Sequence, residues 1–127
     1  MVTYIQPSEL LQLLQGSRRS ELLVVDVRDE DYQGGHIAGS VHVPSQEVLE
    51  EGGAAELARQ LPAEAKLVVL HCQLSQIRGP KCANRLLQYM RSSAPDRGWP
   101  EVKVLSRGYE GFAEVYGDRP ELFEGLR

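Results

Sequence analysis

The sequence predicts an α/β domain built on a mostly parallel sheet. Two near-continuous aliphatic runs, residues 22–27 and 66–71, read as strands covered on both faces, the pattern of parallel sheets rather than of half-exposed antiparallel ones. Helical patterns alternate with these runs along the chain, which is the order of a β-α-β winding. In such sheets a ligand sits where strand C-termini lead into helix N-termini.

Taken in order, residues 3–5 read as a short strand. Residues 8–15 read as a helix, with Leu10, Leu11 and Leu14 on one face and Ser8 as the expected N-cap. The run Leu22-Leu23-Val24-Val25-Asp26-Val27 is a buried strand, and Val41-His42-Val43 a weaker one. Residues 54–61 form a second expected helix, and Lys66-Leu67-Val68-Val69-Leu70-His71 the second strong strand. Residues 80–90 give the clearest helix: Ala83, Leu86, Leu87 and Met90 make one apolar stripe, and Pro80 suits its first turn. Residues 91–100 are expected to be one surface loop. A strand at 102–105 and a helix at 108–116 complete a central five-stranded sheet flanked by helices. No repeat, low-complexity tract or interdomain linker interrupts residues 1–127, so one domain is expected, as the length also favours.

Fourteen Lys and Arg against 18 Asp and Glu give a net charge of −4 without a basic patch, which argues against nucleic acid as a partner. The apolar runs are far shorter than the roughly 20 residues of a membrane span. The N-terminal stretch has no basic region followed by a long apolar one, unlike a secretory signal. A soluble, cytoplasmic protein is expected, with the nucleus left open. Two cysteines, Cys72 and Cys82, are too few for a disulfide scaffold and in a reducing compartment stay thiols.

One strand-to-helix junction carries chemistry: His71-Cys72-Gln73-Leu74-Ser75-Gln76-Ile77-Arg78-Gly79-Pro80. A loop wrapped over a helix N-terminus aims backbone N–H groups at one point and makes an anion site. The same field favours a thiolate, the reactive form of cysteine. Arg78 can grip a tetrahedral oxyanion with two parallel hydrogen bonds. Cys72 then lies beneath the central atom for in-line attack. The backbone of Gln73, Leu74, Ser75, Gln76, Ile77 and Arg78 is the expected oxyanion cradle. The bare spacing also suits an ordinary buried cysteine and a surface arginine; the strand before, the helix after and the flanking His71 and Gly79-Pro80 make it a site. The Ser75 hydroxyl either stabilises the thiolate or is an ordinary loop serine. His71 is expected to fix the loop by a hydrogen bond. His36 and His42 have no acidic or cysteine partner at metal-ligand spacing, so no metal is expected. Asp26 and Arg28 are expected to tie loops near the site, and Gly34-Gly35-His36 to make a turn.

The run His71-Cys72-x-x-Ser75-x-x-Arg78-Gly79-Pro80 resembles the active-site loops of cell-division-cycle dual-specificity phosphatases and of the related eukaryotic arsenate reductases, both of the rhodanese fold. Asp26-Val27-Arg28, Gly35-His36-Ile37-Ala38-Gly39-Ser40 and Pro44 are similar to the rhodanese signature. Leu105-Ser106-Arg107-Gly108-Tyr109 is similar to the family's closing segment, with Arg107 where glycine is usual. The resemblance runs from about Ile5 to Phe123 and implies a single rhodanese-like domain.

The resemblance also ranks the reactions. Sulfurtransferases of this fold have one loop residue fewer, suited to a persulfide sulfur, so the longer loop here implies a phosphate-sized or arsenate-sized anion. A phosphatase is helped by a carboxylic acid that protonates the leaving group. Phosphatases of this family carry acids inside the loop, and residues 73–77 include none. Thiol-dependent arsenate reduction is therefore expected, with protein tyrosine or dual-specificity phosphatase activity as the alternative. A sulfurtransferase and a non-catalytic rhodanese binding module rank behind them, since modules commonly lack the nucleophile. No bound cofactor is expected. The second thiol is either Cys82, as a redox partner of Cys72, or an external one. Packing is the favoured role for Cys82, and glutathione, with glutaredoxin, is then the implied reductant.

Overall fold

The structure is a computed structural model and describes residues 2–93 and 95–126. Five strands form one fully parallel sheet: β1 (Thr3–Ile5), β2 (Leu22–Asp26), β4 (Val41–His42), β5 (Leu67–His71) and β6 (Glu101–Leu105). Their spatial order is β1-β6-β5-β2-β4. The two strong aliphatic runs are neighbours at the centre, with Val24 opposite Val69 and Asp26 opposite His71.

Alternation along the central strands divides the core in two. Val24, Val69 and Leu105 face a layer with Leu10 of α1 (Pro7–Gln15) and Phe112 of α5 (Gly108–Tyr116). Val25, Val68, Leu70 and Val104 face the other layer, formed by α2 (Ser45–Leu49), α3 (Gly53–Arg59) and α4 (Arg78–Ser93). Both faces of the sheet are therefore covered, as its apolar runs require. Both cysteines belong to the α4 side of the core.

Four features differ from the sequence expectation. A second, two-stranded antiparallel sheet pairs β3 (His36–Ile37) with β7 (Phe123–Glu124). Helix α2 is also additional. The N-cap of α1 is Gln6, whose N–H donates to Glu9 Oε1 at 3.0 Å, while Ser8 lies inside the helix after Pro7 at its first position. The expected loop at 91–100 begins late, because α4 continues to Ser93. Ser92 Oγ donates to the Gln88 carbonyl at 2.7 Å on that last turn. Ala94, within that expected loop, lies outside the described residues. The expected turn at Gly34-Gly35 is present, with both glycines at positive φ, and His36 enters β3.

Candidate active site

Parallel strands place the loops that follow β2, β5 and β6 on one edge of the sheet. The loop after β5 is the candidate site. Cys72 is 3% exposed, and its Sγ accepts the backbone N–H of Ser75 at 3.2 Å and that of Gly79, in the first turn of α4, at 3.3 Å. Two main-chain donors from one loop and the helix that follows it are thus aimed at a single sulfur. Ser75 sits at φ 55, a left-handed backbone conformation. Its side-chain oxygen accepts the Cys72 N–H at 3.3 Å. The hydroxyl therefore braces the Cys72 backbone, and the donor to the sulfur is the Ser75 main chain, a role distinct from either of the two readings left open for this serine. Among the described residues the N–H groups of Leu74, Gln76 and Ile77 have no protein partner, as an oxyanion cradle requires. Cys72, Gln73, Leu74, Gln76, Ile77 and Arg78 line a shallow cavity of about 150 Å³. Its rim is apolar, with Leu74 and Ile77 exposed.

A larger hollow of about 320 Å³ lies elsewhere, against His42, Glu47, Glu50, Glu51 and Glu56. It has no nucleophile, and its acidic wall repels oxyanions. The smaller cavity above Cys72 is the candidate site.

The loop is held from three sides. From β6 and α5, the N–H of Tyr109 donates to the Cys72 carbonyl and that of Glu110 to the Gln73 carbonyl, both at 2.9 Å. From β5, His71 Nδ1 donates to the Cys72 carbonyl at 3.1 Å. Burial pushes the His71 pKa down, so the ring is neutral and orients the loop as expected. From β2, Arg28 is buried in a forked pair with Asp26, whose Oδ2 lies 2.7 Å from Nη2. The same guanidinium donates to the Gly35 carbonyl at 2.9 Å and to Gln73 Oε1 at 3.4 Å, and it stacks 4.1 Å over the Tyr109 ring. Asp26 and Arg28 thus tie the three loops, as expected. His42 stacks on Tyr32 at 3.7 Å and donates to the Arg28 carbonyl, while His36 pairs with Glu124 at 3.3 Å.

Arg78 reaches across the mouth of the cavity to carboxylates that sequence reasoning did not connect to it. Its Nη1 and Nη2 lie 2.8 and 2.7 Å from the two oxygens of Asp31, and Nη1 lies 3.3 Å from Asp29 Oδ2. The Arg78 hydrogen bonds hold the Asp31 carboxyl down at about 2, against its partial burial. Burial pushes Asp29 up, but hydrogen bonds from Ser45, Gln46 and Arg78 outweigh it and leave the pKa lowered. The signal was present: Asp29 and Asp31 follow β2 at the same C-terminal edge as the loop. Cys82 is fully buried one turn into α4, and that burial pushes its thiol up to about 12.

The chain as a whole is similar to proteins of known kind. The chain is 38% identical over 112 residues to the dual specificity phosphatase Cdc25 of Arabidopsis thaliana, covering 87% of this chain and 73% of that protein. It is equally identical over 112 residues to arsenate reductase 2.2 of Oryza sativa subsp. japonica, covering 87% and 82%. The solved As-Sb reductase from Leishmania major superposes with a TM-score of 0.87 at 36% identity, over 97% of this chain and 85% of that one. The rhodanese-like domain family matches residues 6–115, and the chain is a single rhodanese domain belonging to that family, among members named as arsenate reductases and Cdc25-like phosphatases.

Proposed function

We propose that the protein is a thiol-dependent arsenate reductase. The observation that carries this reading is a cysteine sulfur held by backbone donors beneath a small anion-sized cavity, with no carboxylic acid among the described residues that line it. The loop has no acid, and the two carboxylates joined to it through Arg78 are held ionised. Hydrolysis of a phosphate ester needs a proton for its leaving alkoxide. Arsenate loses a hydroxyl as water, with protons the oxyacid itself carries.

In the proposed reaction Cys72 Sγ attacks arsenic in line, an S–As bond forms and water departs. An external thiol then attacks the Cys72 sulfur. The S–As electron pair passes to arsenic, which leaves as arsenite, and a mixed disulfide remains. A second external thiol releases Cys72. Two thiols are oxidised to one disulfide and arsenic(V) is reduced to arsenic(III). Glutathione, with glutaredoxin, is the reductant in this proposal, and a cytoplasmic location would supply it. Among the described residues no helix is long and apolar enough to cross a membrane. The raised thiol and full burial of Cys82 support an external second thiol over an internal one.

Phosphatase activity is the second reading, favoured by the names of relatives such as the Arabidopsis protein. One assay series decides. Wild type and Cys72→Ser are compared on arsenate with glutathione and glutaredoxin, on an aryl phosphate, and on thiosulfate with cyanide. Arsenate reduction by wild type and its loss in Cys72→Ser is the expected result. Aryl phosphate turnover without arsenate reduction reverses the ranking.

A further inference from the structure

Arg78 is a long, part-exposed arm at the end of the loop, and a mobile arginine is a poor anion clamp because binding must freeze its rotamers. The structure removes that freedom. Asp31 takes the end of the guanidinium with both oxygens, at 2.8 and 2.7 Å, and Asp29 adds a contact at 3.3 Å. Both carboxylates are themselves fixed. Asp31 Oδ1 accepts the Asp29 N–H at 3.0 Å, and Asp29 accepts Ser45 Oγ at 2.6 Å and the Gln46 N–H at 3.2 Å. A guanidinium offers two fork-shaped edges, one with both Nη atoms and one with Nε and an Nη. Asp31 occupies the first. Arg78 Nε has no partner among the described residues, and Arg78 lines the cavity above Cys72.

We propose that Asp31 is a positioning residue, which grips Arg78 end-on so that the free Nε edge is presented to the oxyanion bound above Cys72. This rests on the reading of the loop as an oxyanion cradle. It also gives the segment after β2 a role in substrate binding, separate from the Asp26–Arg28 pair that ties the loops.

The sign of the effect is diagnostic. Removing the Asp31 charge while leaving all else in place brings the anion a more positive site and tightens binding. Loosening Arg78 weakens it. The inference requires the second effect to win, so that deleting a negative charge weakens the binding of an anion.

The test uses the full chain and inorganic phosphate and arsenate as probes, with titration calorimetry for affinity and steady-state arsenate reduction for KM and kcat. Asp31→Asn is expected to bind phosphate about tenfold more weakly and to raise KM for arsenate similarly, with kcat changed less than twofold. Asp31→Glu should recover part of the affinity. The Arg78 Nε–H resonance of the wild type should shift on adding phosphate, a measurement independent of whether a variant folds. Unchanged or tighter phosphate binding by Asp31→Asn overturns the inference, as does a fall in kcat at unchanged KM, which marks a proton donor. Wild-type protein that binds neither anion overturns the cradle reading itself.

Discussion

The backbone N–H of Tyr109 donates to the carbonyl oxygen of Cys72 at 2.9 Å, so the start of α5 is built onto the peptide of the candidate-site cysteine. That bond and its neighbour from Glu110 to Gln73 tie down two loop carbonyls, the first of which also accepts His71 Nδ1 at 3.1 Å. The approach is close enough to exclude any side chain between them. A Cβ at Gly108, which lies at φ +61, would stand 2.6 Å from the Gln73 oxygen and 2.7 Å from that of Cys72. Gly108→Ala is expected to cost about 2 kcal/mol through strain and a shifted loop. It should lower kcat/KM more than tenfold, because the cradle's N–H groups move with their carbonyls. Thermal melting together with kinetics checks this; an alanine variant with wild-type values on both would contradict the packing.

The pair of Arg28 with Asp26 is buried on both sides, at 2% and 0% side-chain exposure. Replacing Arg28 by Met is expected to cost about 3–5 kcal/mol, since it strands a carboxylate in the core. The double variant Asp26→Asn/Arg28→Met should recover part of that loss, because no charge is then left unpaired. Urea denaturation of both proteins gives the comparison. A single-variant loss under about 1 kcal/mol would show that water reaches the pair.

Cys82 is expected to be chemically silent in the folded protein. In Cys72→Ser, a thiol reagent at pH 8 should find no reactive thiol in the native state and one in denaturant. Cys82→Ser should keep most arsenate reduction with glutathione, whereas a loss comparable to that of Cys72→Ser would make Cys82 the resolving thiol. The pH dependence has a definite sign. Burial raises the folded thiol from 9.0 to about 12. Above pH 9 the unfolded chain releases this proton and the folded one retains it, so stability falls from about pH 9 toward pH 12. Cys82→Ala should lack this part of the alkaline loss.

The parts of the fold that were legible are those buried on both faces. Leu22–Asp26 and Leu67–His71 are aliphatic nearly throughout, and they became the paired centre of the sheet. The two residues of β3 and the five of α2 are too short to carry a period, so neither showed. The loop from Cys72 to Arg78 was legible as a strand-to-helix junction because it is continuous in sequence between β5 and α4. The partners of Arg78 were not, because Asp29 and Asp31 lie 49 and 47 residues away and meet it only through the sheet. Ser75 shows a subtler limit: its side chain was visible in the sequence, but which of its groups meets the sulfur depends on the folded loop, where the main-chain N–H does so and the hydroxyl oxygen accepts the Cys72 N–H.

Arg107, the residue before Gly108, is one of two described non-glycine residues at positive φ, the other being Ser75. Arg107 sits at φ 67, a left-handed conformation worth about 1–2 kcal/mol of strain for a residue with a Cβ. Its side chain returns little, since the contact with Glu114 is 3.2 Å long between groups more than half exposed. Glycine would relieve the strain but loosen the unfolded chain by about 0.4–1 kcal/mol. Arg107→Gly is therefore expected to stabilise by about 0.5–1 kcal/mol, a melting temperature a few degrees higher. Arg107→Ala separates the causes: it deletes the same ion pair yet keeps the Cβ, and should gain nothing. If alanine stabilises as much as glycine, the gain comes from removing the arginine side chain, and the left-handed backbone is not where the strain lies.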